Sequence, residues 1–388
     1  MKKILFIALG ALLATSSCTS EVNDEGFIDK ANAISFNAYP NKSRALDVDV
    51  TSDNMKGDNF GVVGYSGNNI YLYKETNKAV EQKWVASSNT WEYVNLADLK
   101  FWPKNAMDFY AYFPFSDNAT FTAHNNSGNV MTIPNVNCTH DVLFAFAGSQ
   151  DKQTRVPLTF NHAFAKFMKL VIQMPSDGML YKSGCQIEVS KVEFINTSTS
   201  GTIYVDNAGV ASYDVASPNV TLKEALASPV TVNSDYTSKA LINNGTKANG
   251  YFFATNSTTA AVNKVKGTGK DMWNGTKDAL NSGKLSEKNF VCLKLTCKVW
   301  NGADTNKYYY VGNDSSYGDI YIPLKENITG SDPSTAVTTF DAGKRYTYII
   351  VMKNNVGYTD EGDPILTPIL FNVKKVVDWS DVTVTITL

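Results

Sequence analysis

In this 388-residue chain, Cys18 is the residue best placed for chemistry, and the chemistry is acylation. Lys2 and Lys3 make the start positive, residues 4–14 are apolar, and small residues lead up to Cys18. This order is typical of an export signal, and a cysteine directly after it indicates a bacterial lipoprotein, although Thr15 stands where such a motif usually has Leu. The apolar run is shorter than the roughly 20 residues of a membrane span. Acyl chains such as palmitate would then be the only anchor; the alternative is an ordinary secretory signal.

Four further cysteines, Cys138, Cys185, Cys292 and Cys297, allow three disulfide pairings. An exported chain enters an oxidising compartment, so disulfides are permitted. Residues 290–299 alternate like a strand, which separates Cys292 from Cys297 by about 16 Å and turns them to opposite faces. A disulfide needs Cα atoms within about 7 Å, so this pairing is disfavoured. The other pairings and four free thiols remain open.

The sequence contains no recognisable catalytic or metal-binding motif. Gly267–Lys270 resembles the end of a phosphate-binding loop, but Asp271 replaces its Ser or Thr and the first glycine falls on Lys264. His162 has no Ser or Cys partner at a recognisable spacing and is interpreted as structural. The chain contains three histidines, which disfavours a histidine-built metal site. We therefore expect that the protein is not an enzyme and that it binds neither a metal nor a cofactor.

Composition excludes two further classes of protein. The chain is 43% hydrophobic, too apolar for a disordered polypeptide. Its 35 basic and 37 acidic residues give a net charge of -2, without the clustered Lys and Arg of a nucleic-acid-binding domain. At about 100–200 residues per domain, the length favours two domains.

The elements that must position these residues are strands, because apolar residues recur with a period of two. Clear examples are residues 107–113, 168–174, 346–352 and 382–388, separated by turn-forming clusters of Asn, Gly, Ser, Asp and Pro. Helical patterns are few and short, at Thr221–Ala227 and Thr276–Leu285. The sequence thus predicts an all-β protein built from sandwiches, with a domain boundary after residue 177.

Several segments in a fixed order resemble the fimbrillin family, the subunits of surface fimbriae in Bacteroides-type bacteria. They are Ile34-Ser35-Phe36, Ser43-Arg44-Ala45, Phe60-Gly61-Val62, Trp102-Pro103, residues 109–114, residues 141–145, residues 156–166, residues 342–348 and residues 376–379. Acidic residues at Glu21, Asp24 and Glu25 also resemble the surface-export signal of such lipoproteins.

The resemblance implies two tandem transthyretin-like β-sandwich domains. It also implies that an arginine-specific protease removes an N-terminal segment with its first strand, which opens an apolar groove for a strand of the next subunit. Here the cut would fall between Arg44 and Ala45, and the removed strand would be residues 34–39. The expected division is 1–17 as signal peptide, 18–44 as lipidated pro-segment, 45–177 as N-terminal sandwich and 178–388 as C-terminal sandwich.

The residues themselves are compatible with this processing. Residues 41–44 are polar and follow Pro40, which favours an exposed, cleavable loop. Loss of an edge strand leaves unpaired backbone groups that recruit another strand. The candidate donor anchors are Val382, Val384, Ile386 and Leu388 in the last strand. The alternative, favoured for the isolated chain, is that this strand pairs within its own domain.

We therefore expect a structural or accessory fimbrial subunit that is lipid-anchored to the outer membrane at the cell surface. Its partners would be other fimbrial subunits, the maturation protease and a host protein or glycan. The alternative function is a surface glycan-binding lipoprotein, since aromatic side chains on sandwiches stack on sugars. Its candidate aromatics are Tyr71, Tyr73, Trp84, Trp91, Tyr93, Tyr308, Tyr309 and Tyr310. Such residues also favour sheets for their own sake.

Overall fold

The computed structural model of the chain consists mostly of β-strands with very few helices, which confirms the predicted all-β class. The structure describes residues 32–41, 51–75, 77–124, 128–215, 222–233, 238–243, 250–252, 263–266, 273, 280, 282–285, 287, 290–302, 305–324, 340–353, 356–365, 370–375 and 381–387. The helical elements are short: α1 (Met179–Lys182) and the 3-10 segments Asn54–Gly57 and Leu96–Asp98.

The strands are numbered in chain order. Those before residue 165 are β1 (Phe36–Pro40), β2 (Phe60–Ser66), β3 (Asn69–Leu72), β4 (Val80–Val85), β5 (Thr90–Tyr93), β6 (Met107–Phe113), β7 (Thr120–Phe121), β8 (Asn129–Asn137), β9 (Leu143–Gln150) and β10 (Val156–His162). The next are β11 (Ala165–Gln173), β12 (Gln186–Ile195), β13 (Ser200–Asp206), β14 (Ala211–Val215), β15 (Leu222–Val232), β16 (Lys239–Asn243), β17 (Tyr251–Phe252) and β18 (Asn263–Lys266). The last are β19 (Cys292–Asn301), β20 (Tyr308–Val311), β21 (Gly318–Pro323), β22 (Arg345–Val351), β23 (Gly357–Tyr358), β24 (Pro364–Ile365), β25 (Leu370–Lys375) and β26 (Asp381–Thr387).

The largest sheet, here called the curled sheet, has the order β1-β10-β9-β6-β2-β4-β5, with β3 paired to β2. Its two ends approach each other, because Ala33 forms a bridge with Phe101 just beyond β5. The side chains enclosed by this curvature form the inner core. Its members include Ile34, Phe36, Phe60, Val62, Trp91, Tyr93, Phe109, Ala111 and Phe160.

The opposite face of the curled sheet is also buried. It packs against a second sheet, the cover sheet, with the order β18-β14-β13-β8-β7. In β6, Phe109 and Ala111 face the inner core, whereas Tyr110 and Tyr112 pack toward the cover sheet. Burial raises the pKa of both tyrosine hydroxyls. The alternation predicted for residues 107–113 is therefore present, but both of its faces are core.

Two further sheets enclose a separate core. The terminal-strand sheet has the order β16-β11-β22-β26-β25, with β17 on β11, and the opposing sheet has the order β15-β12-β19-β21-β23-β24, with β20 on β19. Their shared core includes Leu170, Ile172, Tyr348 and Ile350 on one side and Ile187, Val189, Leu293 and Leu295 on the other.

The strands change sheet at positions other than the predicted boundary after residue 177. β11 lies before that boundary, yet it pairs in parallel with β22 and contributes to the later core. β13 and β14 lie after it, yet β13 pairs with β8 in the cover sheet. Ranges of 45–177 and 178–388 would thus separate strands from their hydrogen-bonded neighbours. Local periodicity reports which residues form strands but carries no information on distant partners.

The helix predicted at Thr221–Ala227 is wrong. From Leu222 onward the chain is β15, which pairs antiparallel with β12. Lys, Glu, Ala and Leu favour helix only weakly, and sheet pairing outweighs that preference. The helix predicted at Thr276–Leu285 lies partly outside the described residues, but Ser282 has a φ of 61° and the Gly283 N–H donates to the Leu280 carbonyl, which is a turn.

The described residues contain no helix that is long and apolar enough to cross a membrane. Cys138, Cys185, Cys292 and Cys297 are free and buried. Cys292 and Cys297 both lie in β19, as the alternation predicted. Burial raises the pKa of Cys185 to about 12 and raises the pKa values of the other three thiols as well.

These four thiols should be unreactive in the folded protein, because the thiolate is the nucleophile and burial disfavours it. We expect no reaction with a disulfide reagent such as dithionitrobenzoate at pH 8. Four thiols per chain, apart from Cys18, should react after unfolding in guanidinium without reductant. Fast reaction of the native protein, or fewer than four thiols after unfolding, would contradict this arrangement.

Candidate functional site

The first strand, β1, is held by the curled sheet along one edge. It pairs in parallel with β10, with Phe36 opposite Val156 and Pro40 opposite Phe160. The ladder is extended at its start by the Val156 N–H, which donates to the Ser35 carbonyl at 2.8 Å. A parallel ladder gives slightly less stability per residue than an antiparallel one.

The other edge of β1 has backbone contacts near its start. The Ile34 N–H donates to the Lys100 carbonyl at 2.9 Å, and the Tyr93 hydroxyl donates to the Ile34 carbonyl at 2.8 Å. Burial raises the pKa of Tyr93, so its hydroxyl stays protonated and able to donate. Along Phe36–Pro40 the sheet order places β1 at an edge.

Phe36 is the main anchor of β1 in the inner core. Its ring is 1% exposed and packs edge-to-face on Phe109, with centroids 5.4 Å apart, and on Phe60, with centroids 6.3 Å apart. Ile34 is fully buried beside it, whereas Ala38 is only partly buried. We call this set of contacts around β1 the β1 seat. Two large apolar side chains therefore fix β1, a small number for a strand that closes a core.

Two polar groups in the inner core have no hydrogen-bond partner among the described residues. The first is the side-chain amide of Gln82, through both its nitrogen and its oxygen, and the second is the indole Nε1 of Trp102. Gln82 is fully buried and lies in register between Phe60 and Tyr93, both of which contact β1. Trp102 follows the Phe101 bridge and packs on Phe109, with ring centroids 5.9 Å apart.

Neither group was predicted from the sequence to have a functional role, although the alternation of residues in β4 contains a signal for Gln82. Val80, Gln82 and Trp84 occupy alternate positions of β4, and Val80 and Trp84 belong to or pack on the inner core. A glutamine between two inward-facing apolar residues of a strand is an exception to the period-two rule. Trp102 gives no comparable signal.

The predicted lipidation residue, Cys18, and the predicted processing residues, Arg44 and Ala45, lie outside the described residues. So does Leu388, one of the four donor-strand candidates. The part of the chain that the structure describes ends its first segment at the exposed Asn41 and resumes at Thr51. Residue 44 is therefore in the connection that follows the β1 seat.

The last strand, β26, which contains Val382, Val384 and Ile386, is paired within its own chain. It lies between β22, to which it is parallel, and β25, to which it is antiparallel. This is the arrangement favoured above for the isolated chain. The structure does not bring β26 and β1 into one sheet.

His162 lies at the end of β10 in a buried pair with Asp141. Its Nδ1 is 2.6 Å from the Asp141 carboxylate, and the two side chains are 2% and 3% exposed. This burial agrees with a structural histidine. Within the described residues, no group of three or more His, Cys, Asp and Glu side chains is arranged to hold a metal ion.

The aromatic residues of the glycan-binding alternative separate into buried and exposed groups. Trp91 and Tyr93 are part of the inner core. Tyr308 is 69% exposed and Tyr310 is 36% exposed, with ring centroids 5.2 Å apart. Tyr73, at 37%, is the other exposed member, and Tyr71, Trp84 and Tyr309 are partly buried.

A model of protein families described as fimbrillin-like matches residues 43–363. The match spans most of the chain, including the curled sheet from β2 onward. The chain belongs to the fimbrillin-like family. The resemblance noted in the sequence is thereby confirmed.

Solved structures similar to this fimbrillin-like protein include a fimbrial protein from Bacteroides vulgatus, with 15% identity and a TM-score of 0.49 over 82% of this chain and 93% of that chain. A fimbrilin from Porphyromonas gingivalis has 9% identity and a TM-score of 0.31 over 92% of this chain and 97% of that chain. A search of curated proteins finds no match. Family membership rests on the match over residues 43–363.

The β1 seat of this fimbrillin-like protein should depend on Phe36. We expect Phe36→Ala to lower the free energy of unfolding by about 3–5 kcal/mol, the usual cost of truncating a buried phenylalanine. The exposed neighbour Asn37 provides a matched control, and Asn37→Ala should change it by less than about 0.5 kcal/mol. Urea unfolding followed by tryptophan fluorescence measures both. Equal midpoints for the two variants would show that β1 does not stabilise the inner core.

Proposed function

We propose that this protein is a structural or accessory subunit of cell-surface fimbriae, joined to its neighbours by exchange of a strand at the β1 seat. The observation that carries this proposal is the position of β1. It is an edge strand that closes an apolar core, and in sequence it lies between the predicted export signal of residues 1–17 and Arg44. Membership of the fimbrillin-like family supports the fimbrial role.

The proposed maturation begins with cleavage between Arg44 and Ala45 by an arginine-specific protease. The cut would separate β1 from the chain that follows it, leaving it held by its ladder with β10, the contacts of Ala33 and Ile34 beyond β5, and two large buried side chains. Full burial of Ile34 and Phe36 contributes about 3–6 kcal/mol in total, which an incoming strand of similar apolar content can replace. Without β1, the apolar inner core and the unpaired edge of β10 favour capture of another strand.

The proposed donor segment of this chain is its last strand, with Val382, Val384, Ile386 and Leu388 as the candidate anchors in the seat of a neighbouring subunit. Their transfer would require β26 to leave its place between β22 and β25. That step removes two ladders, so it needs compensation from the new pairing. The proposed anchor is an acylated Cys18, which would hold the chain at the outer membrane, with adhesion to a host protein or glycan as the role of the assembled fimbria.

Cleavage can be tested because the chain has three arginines, Arg44, Arg155 and Arg345. Arg345 is 2% exposed and Arg155 is exposed. We expect an arginine-specific protease to give a product that starts at Ala45, since the polar sequence of residues 41–44 favours an exposed loop, the preferred kind of cleavage site. N-terminal sequencing identifies the product, and gels run under mild denaturation detect polymer ladders.

The Arg44→Ala variant should give neither the Ala45 product nor ladders, whereas Arg155→Ala, the matched control, should give both. Polymerisation of Arg44→Ala at the wild-type level would refute maturation at this site. A product that starts at Val156 would show that the protease cuts after Arg155 instead of after Arg44.

Glycan binding is the second candidate, favoured by the exposed pair Tyr308 and Tyr310. We expect wild-type protein on a glycan array to bind sugars whose apolar faces stack on tyrosine, and Tyr308→Ala to lose about tenfold or more in affinity, in line with the loss of one aromatic contact. Tyr39→Ala, an exposed tyrosine outside the candidate set, is the control. An array without hits, together with polymer ladders, would exclude this candidate.

A further inference from the structure

We infer that the β1 seat is built for a strand other than β1, one that carries a hydrogen-bonding side chain on its inward face beside an aromatic residue in the place of Phe36. This inference rests on the proposed strand exchange and specifies the chemistry of the incoming strand. The occupant is a strand of a different subunit, and the residues that select it are Gln82 and Trp102.

The first step is the position of Gln82. Its side chain is fully buried, it faces the inner core, and neither amide atom has a hydrogen-bond partner among the described residues. Its register neighbours Phe60 and Tyr93 are the residues that contact Phe36 and the Ile34 carbonyl. The amide therefore lies beside the β1 seat.

The second step is the position of Trp102. Its buried Nε1 also has no partner in the described part of the chain. Its ring packs on Phe109, which packs on Phe36, and its neighbour Phe101 bridges Ala33. Each unpartnered group is thus linked to the Phe36 ring through one intervening aromatic residue, Phe60 for Gln82 and Phe109 for Trp102.

The third step is what β1 offers these groups. The side chains on its inward alternation are Ile34, just before the strand, and Phe36, Ala38 and Pro40 within it, none of which can form a hydrogen bond. Leaving a buried polar group unsatisfied is unfavourable, and native proteins rarely do so. A strand with Asn, Gln, Ser or Thr at an inward position next to the aromatic residue would satisfy the amide, so replacement of β1 by such a strand is favoured.

The chain's own last strand does not have this pattern. Val382, Val384, Ile386 and Leu388 alternate with threonines, so the face that carries the apolar anchors has no hydrogen-bonding side chain. Inserted with that face inward, it would leave Gln82 as β1 leaves it. The seat accordingly favours a strand from a different kind of subunit over a strand from a second copy of this chain.

Peptide exchange on the protein cut after Arg44 tests the inference. The probes are a peptide of residues 32–41, its variants Ile34→Asn and Ala38→Asn, and an outward-facing control, Tyr39→Asn. We expect at least one inward variant to bind about tenfold tighter than the parent peptide, the effect of one regained hydrogen bond. The outward control and a peptide of residues 381–388 should show no such gain.

The matched protein variants are Gln82→Met, which keeps the volume and removes the polar atoms, and Trp102→Phe, which removes the indole N–H but leaves a smaller ring. The gain should disappear in the variant whose polar group the peptide contacts. Absence of a gain at either inward position, a gain that survives in both variants, or tightest binding by the 381–388 peptide would overturn the inference. If the parent peptide itself fails to bind, the proposed strand exchange is at fault instead.

The uncut protein gives a test that needs no exchange. We expect Gln82→Met to raise the urea midpoint of the full chain, because it removes an unsatisfied amide from the inner core. Ile34→Asn or Ala38→Asn should be less destabilising with Gln82 present than with Gln82→Met. A lower midpoint for Gln82→Met, or equal costs in both backgrounds, would show that the amide does not favour a polar occupant.

Discussion

The curled sheet encloses an apolar core, and that core is shielded from water only if the strands around it are continuous. β1 completes this enclosure. It pairs with β10 along one edge, and just before its start the Ile34 N–H donates to the Lys100 carbonyl beyond β5. Because the sheet is also covered on its other face, its centre has no surface that could rearrange to cover a gap. The boundary of the inner core is therefore set at β1.

Tyrosines make the two-sided burial of this sheet possible. Tyr110 donates to the Asn207 carbonyl and Tyr65 to the Thr122 carbonyl, each at about 3 Å or less, while their rings pack edge-to-face with centroids 5.5 Å apart. A tyrosine thus fills apolar space and satisfies a backbone acceptor with one side chain. The cover sheet and the curled sheet are held together by packing and by these hydrogen bonds at the same place.

The strands were largely predictable because alternation is local, and residues 346–352 illustrate this, since β22 begins and ends close to them. The sheets were not predictable, because the pairing of β11 with β22 joins residues far apart in sequence and local patterns do not encode it. At the β1 seat, the family resemblance pointed to the first strand. The hydrogen bond from Tyr93 to Ile34 and the position of Gln82 beside the seat depend on how the sheet curls, which the sequence does not show. Residues 221–227 show the opposite limit, where a local helix preference was outweighed by distant pairing.

The parallel pairing of β1 with β10 has a geometric consequence for any assembly built through this seat. A strand that takes over the same hydrogen bonds must run in the same direction as β10, so each joint fixes the direction of the next chain. Contacts of this kind are heterologous and repeat without closing unless the rotation brings the ends together. The resulting fibre would be polar, with one end that displays an open seat and another that displays an unused strand, and growth and termination would then take place at chemically different ends.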